Sequence, residues 1–232
     1  MTSTMPNQTS AFPDMTVDAA ADELAERMLA HPASDDDIAI VERQLGRYPR
    51  GMVAVGARCV CGRPLAVVTR PMLPGGIPFP TTCYLTSPEA VKAVSHVEAA
   101  GVMREYNDLL SASESLRNRY LDAHRRYIAF RHALAVRLGD DESHIASVSA
   151  GGMPVRVKCL HALVAQSLVM GHDVNPIGDM TLERIAGEFN PDICRCSDGY
   201  TAGDSLGDSL GDSPSAALGD SAGTLASDDK ER

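Results

Sequence analysis

Residues 51–70 read GMVAVGARCVCGRPLAVVTR, a β-rich segment set among helical ones. MVAVGARC (52–59) and PLAVVTR (64–70) are short β-branched runs bounded by Gly and Pro, the pattern of strands. Between them lies Cys59-Val-Cys61-Gly62-Arg63, where Gly62 can take a positive φ, so the two runs predict a hairpin with two thiols at its turn. TTCYLT (81–86) predicts a third strand. The intervening RPMLPGGIPFP (70–80) is expected to be an extended loop held by Pro71, Pro74, Pro78 and Pro80 around Phe79.

Away from this β-rich part the periodicity is helical. Residues 16–30 predict an acidic amphipathic helix with Val17, Leu24 and Met28 on one side, ended by His31-Pro32. Ser34 and the three Asp residues after it offer N-cap chemistry for a helix over about 36–45, stopped by Gly46. Ser87 and Pro88 open a helix over 88–100, and a short one follows at 102–110. The longest helix is expected at 114–138, with Leu116, Tyr120, Tyr127, Leu134 and Leu138 on a stripe that also holds His124 and Arg131. A nearly all-apolar, and therefore central, helix is expected at about 155–170, and a short one at 179–188. Asn175, before Pro176, is expected to cap a turn, and His172 and Asp173 to be solvated.

The fold class that follows is α+β: a small Cys-bearing β element packed on a mainly helical domain, with disordered acidic termini. The expected organisation is 1–15 disordered, 16–37 an acidic helical extension, 38–196 a single α+β domain, and 197–232 a disordered Gly/Asp/Ser-rich tail. That tail repeats Gly-Asp-Ser-Leu at 203–206 and 207–210. The string opens a serine-hydrolase signature, but such a nucleophile needs a flanking strand, helix and downstream His. No His follows His172.

A chain of 232 residues has room for one ordinary core without staples. The net charge of −10 misleads, because the two ends hold most of the acid. Residues 1–37 carry eight acids and one base, and 197–232 carry eight acids and two bases. The remainder has 15 acids and 18 bases, of which only Lys92 and Lys158 are lysines. This is too weakly basic for nucleic acid, although Arg forks suit a small phosphate or carboxylate. No run approaches the ~20 apolar residues of a membrane helix, and the N-terminus lacks the basic and apolar regions of a signal peptide. The expectation is a cytoplasmic protein with reduced thiols.

The six cysteines carry the chemistry. Cys59 and Cys61 offer two ligands, and Cys159, Cys194 and Cys196 are the natural completions of a four-ligand zinc site. Cys83 stands alone. Cys159 and His161, two apart on a regular helix, point about 200° from each other; His161 is therefore the weaker metal candidate. Cys159 is also a candidate nucleophile, near a helix N-terminus and beside Arg156 and Lys158, with His124 as its candidate base. The loop of Gly151 and Gly152, with Arg156 and Lys158, is a candidate anion site.

QLGRYPRG (44–51), RCVCGRP (58–64), GGIPFPTTCYLTSP (75–88), GVMREY (101–106), AHRRY (123–127), GGMPVRVKCLHALVA (151–165) and NPIGD (175–179) carry a resemblance. With these segments the chain resembles an actinobacterial family known as domain of unknown function 501. The resemblance spans about 42–196 and brings no activity with it. It implies gene neighbours of enolase, a septum-formation initiator and an exopolyphosphatase-type phosphatase. The family pattern has Cys where Ser87 stands and His where Gln166 stands, which implies two fewer ligands in this chain.

Three readings follow. The first is a cytoplasmic accessory protein with a Cys/His centre, a candidate zinc site, beside a basic anion-binding loop. The second is an enzyme acting on a phosphorylated or carboxylated small molecule through Cys159 and His124. The third is a cell-division or envelope-linked adaptor using the exposed side of the 114–138 helix.

Overall fold

The computed structural model describes residues 16–196; the expected disordered segments 1–15 and 197–232 lie outside the described residues. The fold is α+β, with helices α1 (Val17–Ala30) and α2 (Asp35–Leu45) preceding strands β1 (Met52–Arg58), β2 (Pro64–Thr69), β3 (Met72–Leu73), β4 (Ile77–Pro78) and β5 (Cys83–Leu85). Helices α3 (Pro88–Ala99), α4 (Val102–Ala112), α5 (Glu114–Leu138), α6 (Leu160–Met170) and α7 (Pro176–Arg184) complete it, with a 3₁₀ turn at Ser143–Ile145.

β1, β2 and β5 form an antiparallel sheet in the order β1-β2-β5. β2 is central and all six of its residues are buried, as a strand covered on both faces requires; burying a Val or Leu side chain contributes roughly 1.5–3 kcal/mol. The segment expected to be a plain extended loop instead pairs Met72 with Pro78 and Leu73 with Ile77. Gly75 and Gly76, at φ 93° and 73°, supply the reversal.

α6 lies against the sheet, α3 and α7. Leu160, Leu163, Val164 and Ala165 are completely buried there. α5 packs along α1, whose Leu24, Ala25 and Met28 enter the same core. Tyr127 ties α5 to the sheet: its hydroxyl accepts from Thr82 N at 2.6 Å and donates to Pro80 O at 3.2 Å. Arg131 is fully buried, and its Nε donates to Glu142 Oε2 at 2.9 Å while Nη2 donates to Ile145 O at 2.6 Å. It thereby fixes the loop that leads into Gly151 and Gly152.

Two helix starts differ from the sequence pattern. α6 begins at Leu160, five residues later than expected, because other elements claim the preceding backbone. Asn107 accepts from Val157 N at 2.9 Å and donates to Val157 O at 3.0 Å, and Tyr120 donates to Arg156 O at 3.3 Å. α7 begins three residues earlier than expected. Asn175 caps it, accepting from Ile177 N and Gly178 N at 3.0 Å each, with Pro176 in the first turn.

Candidate metal centre

The site starts at the β1–β2 turn. Cys59 N donates to Arg63 O at 2.9 Å and Gly62 N to Cys59 O at 2.8 Å. Gly62, at φ 89°, makes this tight reversal without strain. Both thiols thus sit on one short loop. Support comes from α2, where Ser34 and Asp37 form a capping box. Asp37 also takes a bidentate pair from Arg58, at 2.7 and 2.9 Å, and Arg58 Nη1 donates onward to Gly62 O at 3.0 Å. The Arg58 guanidinium holds the Asp37 carboxyl down at about 2.

The second pair arrives from the C-terminal end of the described chain. After α7, Asn190 bridges to Ile193 in an antiparallel contact, and the segment returns to the turn. One ligand atom from each of Cys59, Cys61, Cys194 and Cys196 lies within 4.8 Å of the others. The Cys61 and Cys196 sulfurs are 3.7 Å apart. Zn–S bonds of about 2.3 Å at tetrahedral angles place sulfurs about 3.8 Å apart, so the Cys61–Cys196 separation and the 4.8 Å limit on the whole set are compatible with a metal ion. All six cysteines are free.

The four thiols differ electrostatically. Burial pushes Cys59 and Cys196 up. Cys61 is exposed, and the Arg63 backbone N–H brings its thiol down to about 7. A cation among the four would lower the cost of ionising all of them. A narrow cleft lined by Cys59, Ser87, Glu89 and Cys196 borders the group. Ser87 caps α3, accepting from Ala90 N at 3.2 Å.

Cys159 is not in this set, and its expected place as a completing ligand is corrected. It groups with His161 and Glu98, whose ligand atoms also lie within 4.8 Å of one another. The expectation that Cys159 and His161 diverge is corrected too. It assumed a helix running through both, whereas Cys159 is the extended N-cap of α6 at φ −152° and ψ 109°. His161 Nε2 is 3.2 Å from both Val91 O and Ser95 Oγ, and Nδ1 is 3.3 Å from Glu98 Oε1. Burial works against the charged ring, but Cys159 and Glu98 outweigh it and raise His161 to about 10.

The remaining candidates fall elsewhere. His124 Nδ1 meets Ser149 Oγ at 2.9 Å, and the imidazole neighbouring Cys159 is His161. Burial, with Arg131 and Arg125, lowers His124. In the candidate anion loop the backbone N–H groups of Arg156 and Lys158 are engaged within the loop. Arg156 N bonds Gly152 O at 3.1 Å, Lys158 N bonds Gly151 O at 2.8 Å, and Glu98 Oε1 accepts from Leu160 N at 2.6 Å. The protein's own carboxylate therefore occupies the N-terminus of α6, and the Arg156 and Lys158 side chains are exposed. Cys83 is fully buried, which pushes its thiol far up. Gln166 is buried, donating to Ala123 O at 2.8 Å and accepting from Asn175 Nδ2 at 2.8 Å. His172 and Asp173 are exposed, as expected, but they gather with Asp179, whose Oδ2 accepts from Asp173 N at 2.9 Å and ties down the loop before α7.

Glu98 carries no sequence signal, being one of two acids on an ordinary amphipathic helix. Only the fold brings α3 to the start of α6.

A family model described as a protein of unknown function (DUF501) matches residues 55–183, a little over half of the chain. The chain belongs to that family. The match contains Cys59, Cys61, Glu98, Cys159 and His161 and stops before Cys194 and Cys196. No curated protein and no solved structure matches the chain. Among the described residues no helix is long and apolar enough to cross a membrane.

Proposed function

We propose that this member of the DUF501 family is an accessory protein that binds one zinc ion through Cys59, Cys61, Cys194 and Cys196. The observation that carries the reading is the convergence of four sulfurs, two from each Cys-x-Cys pair, within 4.8 Å of one another, with Cys61 and Cys196 at 3.7 Å, close to the S–S distance of a tetrahedral ZnS₄ shell. Four thiolates leave no open position, so the ion would be structural. It would fasten residues 190–196 to the β1–β2 turn, and hydrolytic chemistry at this ion is not part of the reading. Arg58 and Asp37 would act as supports that hold the turn in its binding shape.

The test is elemental analysis of the purified chain together with zinc titration of the metal-free form. The expected result is about one zinc per chain, with binding abolished by Cys61→Ser combined with Cys196→Ser. Zinc and iron both far below one per chain would sink the proposal. A cytoplasmic setting agrees with reduced thiols gathered in this way.

A further inference from the structure

Cys159, His161 and Glu98 form a second centre whose chemistry differs from that of four sulfurs. Val91 O can only accept, so it fixes a proton on His161 Nε2, 3.2 Å away. That leaves Nδ1 as the ring atom able to exchange a proton, and Nδ1 faces the Glu98 carboxylate at 3.3 Å. Glu98 is itself held in place. Its Oε1 accepts from Leu160 N at 2.6 Å, and burial, which opposes its charge, is outweighed by His161 and these backbone N–H groups, so its carboxyl titrates below the ordinary value. The Cys159 sulfur, at the N-cap of α6 and making no capping bond, lies within 4.8 Å of both groups. A sulfur, an imidazole that can carry its proton, and a carboxylate orienting that imidazole are the parts of an activated cysteine.

We propose that Cys159 is a hydroperoxide-reactive thiol, with His161 as its proton donor and Glu98 as the residue that positions His161. The side chains of His161 and Glu98 are 25% and 21% exposed, and Cys159 is half-buried. All three residues are thus partly exposed, which suits a reagent of a few atoms such as hydrogen peroxide. In the step, the Cys159 thiolate attacks one peroxide oxygen, an S–O bond forms, and the O–O bond breaks. Its electron pair leaves with the second oxygen, which takes the Nδ1 proton of His161 and departs as water. Sulfur is oxidised to sulfenic acid, the peroxide is reduced, and the imidazole is left neutral. No other cysteine belongs to this cluster among the described residues, so the product is a sulfenic acid and not an immediate disulfide. This inference is independent of the zinc reading, because it uses none of those four sulfurs.

The experiment treats the full chain, with and without added zinc, with limiting hydrogen peroxide, traps sulfenic acid with a cyclic diketone and locates it by peptide mass. Cys159 is expected to be trapped first. His161→Gln is expected to slow its oxidation about a hundredfold, the scale of a lost general acid, with zinc content and circular dichroism unchanged. Glu98→Gln keeps an oxygen to cap α6 and should shift the pH profile of the rate to lower pH, a change that a purely structural role would not produce. Oxidation of Cys159 in the unsubstituted protein no faster than that of a free thiol peptide would overturn the proposal, with no variant needed. So would an unchanged rate in a folded His161→Gln protein. Protection of Cys159 by a second bound zinc would also overturn it, making the cluster a metal site.

Discussion

The two thiol-bearing centres contrast in how they are built. At the β1–β2 turn, four thiols come from two Cys-x-Cys pairs more than 130 residues apart, and among the described residues the group itself contains neither imidazole nor carboxylate. At the start of α6, one sulfur meets one imidazole and one carboxylate, each aimed by a backbone contact. Four thiols crowded together are poorly satisfied until a cation joins them. A sulfur beside an oriented imidazole is already complete and poised to move a proton. Ligand sameness thus points to structure, and ligand difference to reactivity.

The largest break in this contrast comes from removing the first centre. Cys61→Ser with Cys196→Ser should abolish zinc binding. It should also remove the stability that the ion confers, on the order of 4 kcal/mol when free zinc is a thousandfold above its dissociation constant. Melting with and without a chelator checks this: the chelator should lower the melting temperature of the unsubstituted protein and leave the variant unmoved. Acid should release the zinc as well, since thiolate ligands compete with protons. Cys159→Ser should retain the full zinc content. A loss of zinc in that variant would merge the two centres and end the contrast.

How far each centre was legible follows from how local its determinants are. The hairpin carrying Cys59 and Cys61 is written in adjacent β-branched runs and Gly62, and the helices in their own periodicity and caps. The choice among Cys159, Cys194 and Cys196 as completing ligands is not local, because it depends on how the chain returns after α7. Cys159 and His161 would diverge on a regular helix, but Cys159 lies in extended backbone ahead of α6. Asn107, Tyr120 and Glu98, from three other helices, hold the backbone that would have extended α6. His124, the candidate base from the long helix, is directed by α5 to Ser149.

A smaller effect tests the support of the first centre. Asp37→Asn removes the charge that pairs with Arg58, whose side chain is 45% exposed, so the pair itself contributes only about 0.5–1 kcal/mol after solvent screening. The capping box shares this residue, and weakening it adds a further loss of up to about 1 kcal/mol. Zinc affinity should fall about tenfold, as for other groups that orient ligands from behind. Calorimetric titration measures it. Unchanged affinity would mean that the turn holds its shape without Arg58.

The smallest expected effect is the sharpest probe of the second centre, because its sign depends on pH. His161 is raised from 6.5 to about 10, so its contribution is fully present below 6.5 and is lost as pH rises through about 10. Glu98 is lowered from 4.5, so its contribution is present above 4.5 and is lost as pH falls through its folded value. The pair therefore stabilises most between 4.5 and 6.5. Glu98→Gln should cost about 1 kcal/mol in that window, a value kept small by partial exposure, and the cost should shrink toward pH 10. Urea unfolding of both proteins at matched pH, from 5 to 10, gives the difference curve. A flat curve would show that Glu98 acts only as a neutral cap for α6, leaving the orientation of His161 to Val91 and Ser95.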